Sequence, residues 1–550
     1  MIMKNIKFSI RLGALLLIGF TSIATIESDH SKFFEISKNI EIFTNVYKEI
    51  NTYYVDDLDP ATLMRKGVDA MLESLDPYTN YISETEIEGF RYITDGKYNG
   101  IGAMIRQIGD YVTITEPYDN CPAQKAGLKA GDIILEVDGK SAKGKGTDDV
   151  SAILKGFPGT EVDLLINRPG ESKPLKITLV RDEVIVPNVP YSGMINDEIG
   201  YVALTTFTRD AGKNVGDAVK KLKTENPQMK GLIFDLRYNG GGLLTEAVNV
   251  SNVFIPKGEM IVTTKGKVPD WDRSFKTLNK SIDEQIPLVL LINKGSASAS
   301  EIVSGVIQDY DRGVLIGQQS YGKGLVQNTR DVGYNSKVKM TTAKYYVPSG
   351  RCIQGVSYEN GEPINIPDSL RTAFKTKNER SVLDGGGVKP DIAVKEDLNI
   401  PIIKDLLRKY MIFEYATAYA LEHTEIAAVA EFRFSEFDTF AAFLQKKNFH
   451  FETKSEKILE DLEKTAEEEG LADAFKADLK AIQNIIETEK KNELYENKEA
   501  IISLIEKEIA SRYYFQQGRI QIGLRNDVEI KEALAVIKDQ KRYKELLKQQ

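Results

Sequence analysis

Apolar residues recur along most of this chain at spacings that separate strands from helices. Leu288-Val289-Leu290-Leu291-Ile292-Asn293 is a continuous apolar run bounded by Pro287 and by Lys294-Gly295, which predicts a fully buried strand. Gly231 to Arg237 and Tyr201 to Phe207 read the same way. Between and after them, Leu244, Ala247, Val248 and Val250 predict a helix from Leu243 to Phe254. Ile302, Val303, Val306, Ile307 and Tyr310 predict another from Ala299 to Tyr310, with Gly313 as its stop. Buried strands alternating with amphipathic helices make an α/β core.

The two ends carry a different pattern. Residues 31 to 90 place Phe33, Ile36, Ile40, Phe43, Val46 and Tyr47 at helical spacing, with a break at Asp56-Asp57-Leu58-Asp59-Pro60, so a helical cap is expected. From 401 to 550 the chain is nearly free of proline. Leu459, Leu462, Leu471, Phe475, Leu479, Ile482, Ile485 and Ile486 form helical stripes there. The expectation is a helical scaffold that packs on the core or self-associates, with an adaptor-binding role as the hypothesis beyond it. At the start, Lys4, Lys7 and Arg11 precede a nearly uninterrupted apolar stretch from Leu12 to Ile26. At about fifteen residues it is short for a membrane span and fits an export signal, the alternative being an uncleaved membrane anchor. The destination implied is the periplasm or cell envelope.

Composition narrows the chemistry. At 550 residues one core is too few, and 42% hydrophobic with 28% charged residues is ordinary for a globular chain. A net charge of −9 gives no case for nucleic acid. Two cysteines, Cys121 and Cys352, exclude a disulfide framework. The three histidines, His30, His423 and His450, lie outside the α/β core, which removes a Cys-His protease and leaves a zinc hydrolase little support. No cofactor or metal is expected.

Candidate chemistry is found where the last predicted helix begins. Gly295-Ser296-Ala297-Ser298-Ala299-Ser300 crowds small residues around a serine at a strand-to-helix junction. Free N–H groups and the positive end of the helix dipole meet there, where an oxyanion would form. Taken alone, Ser298 would read as an N-cap. Its context is Tyr238-Asn239-Gly240-Gly241-Gly242, whose glycines let backbone amides approach a ligand, and Lys323, flanked by Gly322 and Gly324. Ser298 as nucleophile, Lys323 as base and the Gly241 and Ala299 amides as oxyanion donors form a consistent set. Gln327, four residues past the lysine, could orient it. A lysine base requires burial to lower its pKa.

Ser296-Ala297-Ser298-Ala299-Ser300-Glu301-Ile302, Gln308-Asp309-Tyr310-Asp311-Arg312-Gly313 and Tyr321-Gly322-Lys323-Gly324-Leu325-Val326-Gln327 resemble the carboxy-terminal processing (tail-specific) proteases, serine peptidases with a Ser-Lys dyad. Asp235 to Leu244, Lys344 to Arg351 and Gly387 to Ile392 resemble further motifs of that family in the same order. The resemblance implies the roles given above, makes Gln327 the supporting glutamine, and matches Asp309 to an aspartate sometimes assigned to the relay. Asp309 lies three helical turns from Ser298, and its spacing equally suits a surface pair with Arg312.

Upstream, Lys97-Tyr98-Asn99-Gly100-Ile101-Gly102 followed by Pro122 to Ile134 and Gly159 to Arg168 resembles a PDZ domain. Gly100, Ile101 and Gly102 would capture a peptide's terminal carboxylate while the peptide adds a strand to the sheet edge. Arg168 reads as a solvated strand-end charge, with coupling to the protease as the alternative.

The expected architecture is therefore multidomain α/β and α+β. It has a signal or anchor (1–26), a helical cap (31–95), a β-rich PDZ domain (96–183), a Clp-protease/crotonase-like serine protease core (184–400) and a helical C-terminal domain (401–550). Tyr358 to Gly387 is expected as a surface excursion near the site. The function implied is endoproteolysis of exported proteins near free C-termini, against two alternatives: a catalytically silent PDZ-bearing envelope scaffold and a Ser-Lys amidase acting on small amides.

Overall fold

The computed structural model describes residues 32–359, 362–365, 367–394 and 400–548, so the expected signal segment lies outside the described residues. They divide into two units, residues up to 81 together with 359 and 362 forming the smaller. In that unit a helix over 32–53 is followed by Pro60–Glu73, capped by Asp59, whose carboxylate accepts from the Ala61 amide at 3.1 Å. Proline at the first helical position suits a start there. The apolar stripe of the first helix is largely exposed, Phe33 at 72% and Ile40 at 62%. Helical periodicity fixes which side chains share a face, and only a partner surface can cover it. No helix among the described residues is long and apolar enough to cross a membrane.

In the larger unit the core sheet has the order Tyr191–Met194, Ile199–Ala203, Gly231–Asp235, Leu288–Ile292, Val314–Gly317, Ile392–Ala393. The first pair is antiparallel and the remaining pairs are parallel. Alternating side chains go to opposite faces. Val202, Leu232, Phe234, Leu288, Leu290 and Ile292 pack on the helices Ala211–Glu225, Leu244–Phe254 and Ala299–Asp309. Tyr201, Ile233, Val289, Leu291 and Ile316 pack instead on Ile530, Ala533, Val536 and Ile537. The helix Val528–Lys538, expected within a separate C-terminal domain, is thus the third layer of the core. Each such aliphatic side chain taken from water contributes roughly 1.5–3 kcal/mol.

The predicted strands are shorter than expected at their C-terminal ends. Gly231–Asp235 stops because the Asp235 carboxylate accepts from the Arg237 amide (2.9 Å) and turns the chain. Ile199–Ala203 stops before Phe207, which makes an isolated parallel bridge to Gly242.

The PDZ unit is an antiparallel sheet ordered Ala103–Ile108, Tyr111–Pro117, Ile133–Val137, Glu161–Asn167, Leu175–Val180. Its neck is closed where Lys97–Gly100 pairs with Asp182–Ile185. Arg168 is not a solvated charge. Its Nε donates to Asp132 Oδ1 at 2.7 Å and one Nη to the Gly127 carbonyl at 2.7 Å, pinning the loop inside the unit, because a fully buried Asp132 needs a countercharge. Both cysteines are free thiols.

The remaining C-terminal helices build their own core around Leu406, Tyr415, Phe437, Phe440, Ile501, Ile505 and Ile509. Helices Lys454–Glu468 and Ala472–Glu496 follow one another in this region; Leu459, Phe475, Leu479 and Ile486 are half-buried, while Ile482 and Ile485 stay exposed. The helix Lys498–Gly523 reaches the PDZ sheet through Arg519, which pairs with the buried Glu116 at 2.7 Å.

Candidate active site

The fully buried Leu288–Ile292 strand delivers the chain to a tight turn at Asn293–Ala297. Ser296 Oγ, itself fully buried, donates to the Leu236 carbonyl (2.8 Å) and accepts from the Asn293 amide (3.0 Å). Ser298 follows at the N-cap of Ala299–Asp309 with φ 55° and ψ −112°. A non-glycine residue there is strained by about 1–3 kcal/mol, and persists only where its surroundings over-determine it. Here they do: the Ala297 amide donates to the Asn239 carbonyl (3.0 Å), and the Ser298 amide to Glu301 Oε2 (2.8 Å). Ser298 occupies an N-cap position, yet its Oγ makes no capping hydrogen bond. The half-buried hydroxyl is left for other chemistry.

Glu301 is the residue that the sequence reading passed over. It is fully buried and accepts four hydrogen bonds: from Ser320 Oγ (2.6 Å) and the Gly322 amide (2.6 Å) at Oε1, and from the Ser298 and Lys323 amides (2.8 Å each) at Oε2. One carboxylate oxygen therefore holds the backbones of Ser298 and Lys323 together. Burial pushes its pKa up, against the pull of the four donors. The signal was present, since Ser298-x-x-Glu301 is a capping-box spacing. Tyr345, also buried, lies with its hydroxyl 3.0 Å from the Ser298 carbonyl and 2.6 Å from that of Lys323. Burial raises its pKa well above the ordinary value, so it remains a donor. Lys323 is half-buried.

Gly241 lies against the serine turn. A methyl group on it would sit 2.8 Å from Ser298 Cβ and 3.0 Å from the Ala299 nitrogen, and its φ of 101° favours glycine. In this state the Gly241 amide donates to Asn239 Oδ1 at 2.9 Å. The Ala299 amide, first in its helix, has no carbonyl four residues back to donate to.

Gln327 lies on the strand after the lysine loop, and its amide donates to Thr341 Oγ1 at 3.2 Å. Asp309 sits at the opposite end of the helix, about 16 Å along the axis from Ser298 at 1.5 Å per residue. It is buried, not on the surface, and pairs with the buried Arg351 (2.8 Å) in place of Arg312. Arg312 is directed elsewhere, onto the carbonyls of Phe254, Ile286 and Asp283. The Tyr358 to Gly387 excursion returns to this region, where Val388 N donates to Ser320 Oγ at 2.7 Å beside the lysine loop.

In the PDZ unit the carbonyls of Ile101 and Gly102 accept from Ala123 (2.7 Å) and Tyr118 (2.9 Å), fixing the loop that contains Gly100. Gly102 has φ 74°, and an added methyl would lie 2.3 Å from Cys121 Cβ. Ala103–Ile108 follows as an edge strand, with the helix Thr147–Leu154 beside it. Such an edge accepts an extended peptide.

A model of peptidase family S41 matches residues 198–360, one of a PDZ domain 113–168, and one of a C-terminal helical domain of probable PDZ-proteases 402–537. The chain is 37% identical over 426 residues to a carboxy-terminal-processing protease of Bartonella bacilliformis, covering 74% of this chain and 96% of that one. It is 33% identical over 391 residues to a probable CtpA-like serine protease of Staphylococcus aureus, covering 69% and 77%. Among solved structures, the photosystem II D1 C-terminal processing protease is similar at 27% identity over 65% of this chain and 93% of its own, with a TM-score of 0.36. The PDZ domain of a carboxy-terminal protease from Vibrio cholerae, solved with a peptide, is 32% identical over 16% of this chain and 99% of its own, with a TM-score of 0.16.

Proposed function

This chain belongs to the carboxy-terminal-processing proteases of peptidase family S41, and from that membership we propose that it cuts exported proteins near their free C-termini with a Ser298–Lys323 dyad. It is a serine peptidase carrying a PDZ domain. The observation that supports the dyad most is the strained Ser298, its Oγ unused in capping, on a turn whose backbone shares the Glu301 carboxylate with Lys323.

In this reading Ser298 Oγ attacks the scissile carbonyl and Lys323, as the neutral amine, takes its proton. The oxyanion is met by the Ala299 amide at the positive helix end and by the Gly241 amide once Asn239 releases it. Lys323 returns the proton to the departing amine, and water then hydrolyses the acyl-serine by the same route. Gln327 supports the lysine, and Asp309, paired with Arg351 and accepting from the Ser349 amide, holds the turn that follows the Ser336–Tyr346 strand. The PDZ loop Gly100-Ile101-Gly102 receives the substrate's terminal carboxylate. The apolar segment within 1–26 supports export to the periplasm or envelope, and the exposed Ile482 and Ile485 of the C-terminal helices support self-association or an adaptor there.

An unfolded protein with a nonpolar tail should be cut, and the same protein with an amidated tail should be cut at least about tenfold more slowly, because the captured charge is gone. Gly102→Ala should reproduce that loss on the free tail, since the methyl collides with Cys121. Product mass spectra of both pairs give the result. Equal cleavage of free and amidated tails would end the tail-recognition reading.

A further inference from the structure

The glycine loop beside Ser298 is anchored from outside the core sheet. Arg237 stands between the end of the Gly231–Asp235 strand and Tyr238-Asn239-Gly240-Gly241, with 14% of its side chain exposed. Its Nε donates to both Asp235 oxygens at 3.0 Å, and Nη2 donates to Asp235 Oδ2 at 2.6 Å. Nη1 reaches across to the C-terminal helix layer, donating to Asp527 Oδ2 at 2.7 Å and to Glu529 Oε2. Tyr201 completes the cluster by donating to Asp235 Oδ2 at 2.8 Å.

Asp527 divides its two oxygens between two tasks. Oδ1 caps the helix Val528–Lys538, accepting from the Glu529 amide (2.9 Å) and the Ile530 amide (3.1 Å), while Oδ2 holds Arg237. Beyond Arg237 the chain runs straight into the site. The Asn239 carbonyl accepts from the Ala297 amide and from Ser300 Oγ (2.8 Å), and Gly241 lies against Ser298 and Ala299. A planar guanidinium with fixed forks on two elements sets position and angle more tightly than a single ammonium contact would.

We propose that Arg237 is a positioning residue for the reaction and that Asp527 and Glu529 of the C-terminal segment set it, so that the C-terminal helices hold the glycine loop in register with Ser298. This rests on the dyad reading above. It makes the C-terminal region part of the catalytic apparatus in addition to its part in the core.

The cap geometry supplies a selective test in the full chain. Asp527→Ser keeps an oxygen able to cap the helix but is too short to reach Arg237. Its kcat on a chromogenic peptide is expected to fall about tenfold or more, with KM and affinity for a free-tail PDZ ligand unchanged. That is the cost of a glycine loop displaced by a fraction of an ångström. Arg237→Lys, which keeps charge but loses the fork, should show the same split. Asp527→Asn keeps one oxygen for the cap but turns an NH2 donor toward Arg237, so its kcat should fall about as far as that of Asp527→Ser. A fluorophosphonate that acylates serine should label Asp527→Ser more slowly by the same factor. Wild-type kcat in a folded Asp527→Ser overturns the proposal, as does a parallel loss of kcat and PDZ affinity, which marks general unfolding. Ser298→Ala, run alongside, separates the two readings: labelling that survives there defeats the dyad itself, whatever Asp527→Ser does.

Discussion

Ser298→Ala is expected to lower kcat for peptide cleavage by about 10⁵- to 10⁶-fold, the size of loss seen when an activated serine nucleophile is removed. Lys323→Ala should lose nearly as much, because serine and base act as one unit and their effects do not add. The double variant should therefore be little worse than either single one. Lys323→Arg should not rescue, since a guanidinium stays protonated and cannot accept the serine proton. Stability should move little in Ser298→Ala, because its hydroxyl makes no capping bond. Single-turnover cleavage with purified full-length variants measures all of this. Activity surviving in Ser298→Ala would remove the nucleophile assignment. Activity surviving in Lys323→Ala alone would keep the serine and require another base.

Glu301→Ala should cost both stability and turnover. It strands the donors now satisfied by the carboxylate: Ser298 N, Ser320 Oγ, Gly322 N and Lys323 N. A buried donor left without an acceptor costs about 1–3 kcal/mol. Water entering the vacated space will satisfy some of them, so a net loss of about 3–5 kcal/mol is expected, read from the denaturant midpoint. The Ser298 and Lys323 backbones also lose their common anchor, and kcat should fall by about 10²-fold or more even where the variant is fully folded. Glu301→Asp, one methylene shorter, cannot span both oxygens' partners and should resemble the alanine variant in turnover. A folded Glu301→Ala with wild-type kcat would show that Tyr345 and the Gly324–Gln354 contact (2.6 Å) suffice to hold the lysine loop.

The parts of the fold that depend on neighbours in sequence were legible. Ile302, Val303, Val306 and Ile307 share a helix face because of their spacing alone, and all are in the core. The Leu288–Ile292 run is apolar on both faces because a parallel strand is covered on both. What covers the second face was not legible. Ile530, Ala533 and Val536 read as one more amphipathic stripe, and nothing in their spacing distinguishes the underside of a sheet from another helix.

The same division runs through the site. Ser298, Gly241 and Lys323 stand out because small residues and glycines are needed for close approach, and that need is written locally. Their anchors are long-range pairings of ordinary charged residues. Asp309 has Arg312 three residues away and pairs with Arg351, since Arg312 is taken by carbonyls across the helix layer. Arg168 ends a strand as a surface charge would, and is held by Asp132. Arg237 reaches Asp527 across most of the chain. The sequence by itself determined the elements, their order and the serine turn with its lysine loop, because backbone propensity and close packing act over a few residues. Only the tertiary structure decided which buried charge meets which, because each must find an opposite charge wherever the fold brings one within reach.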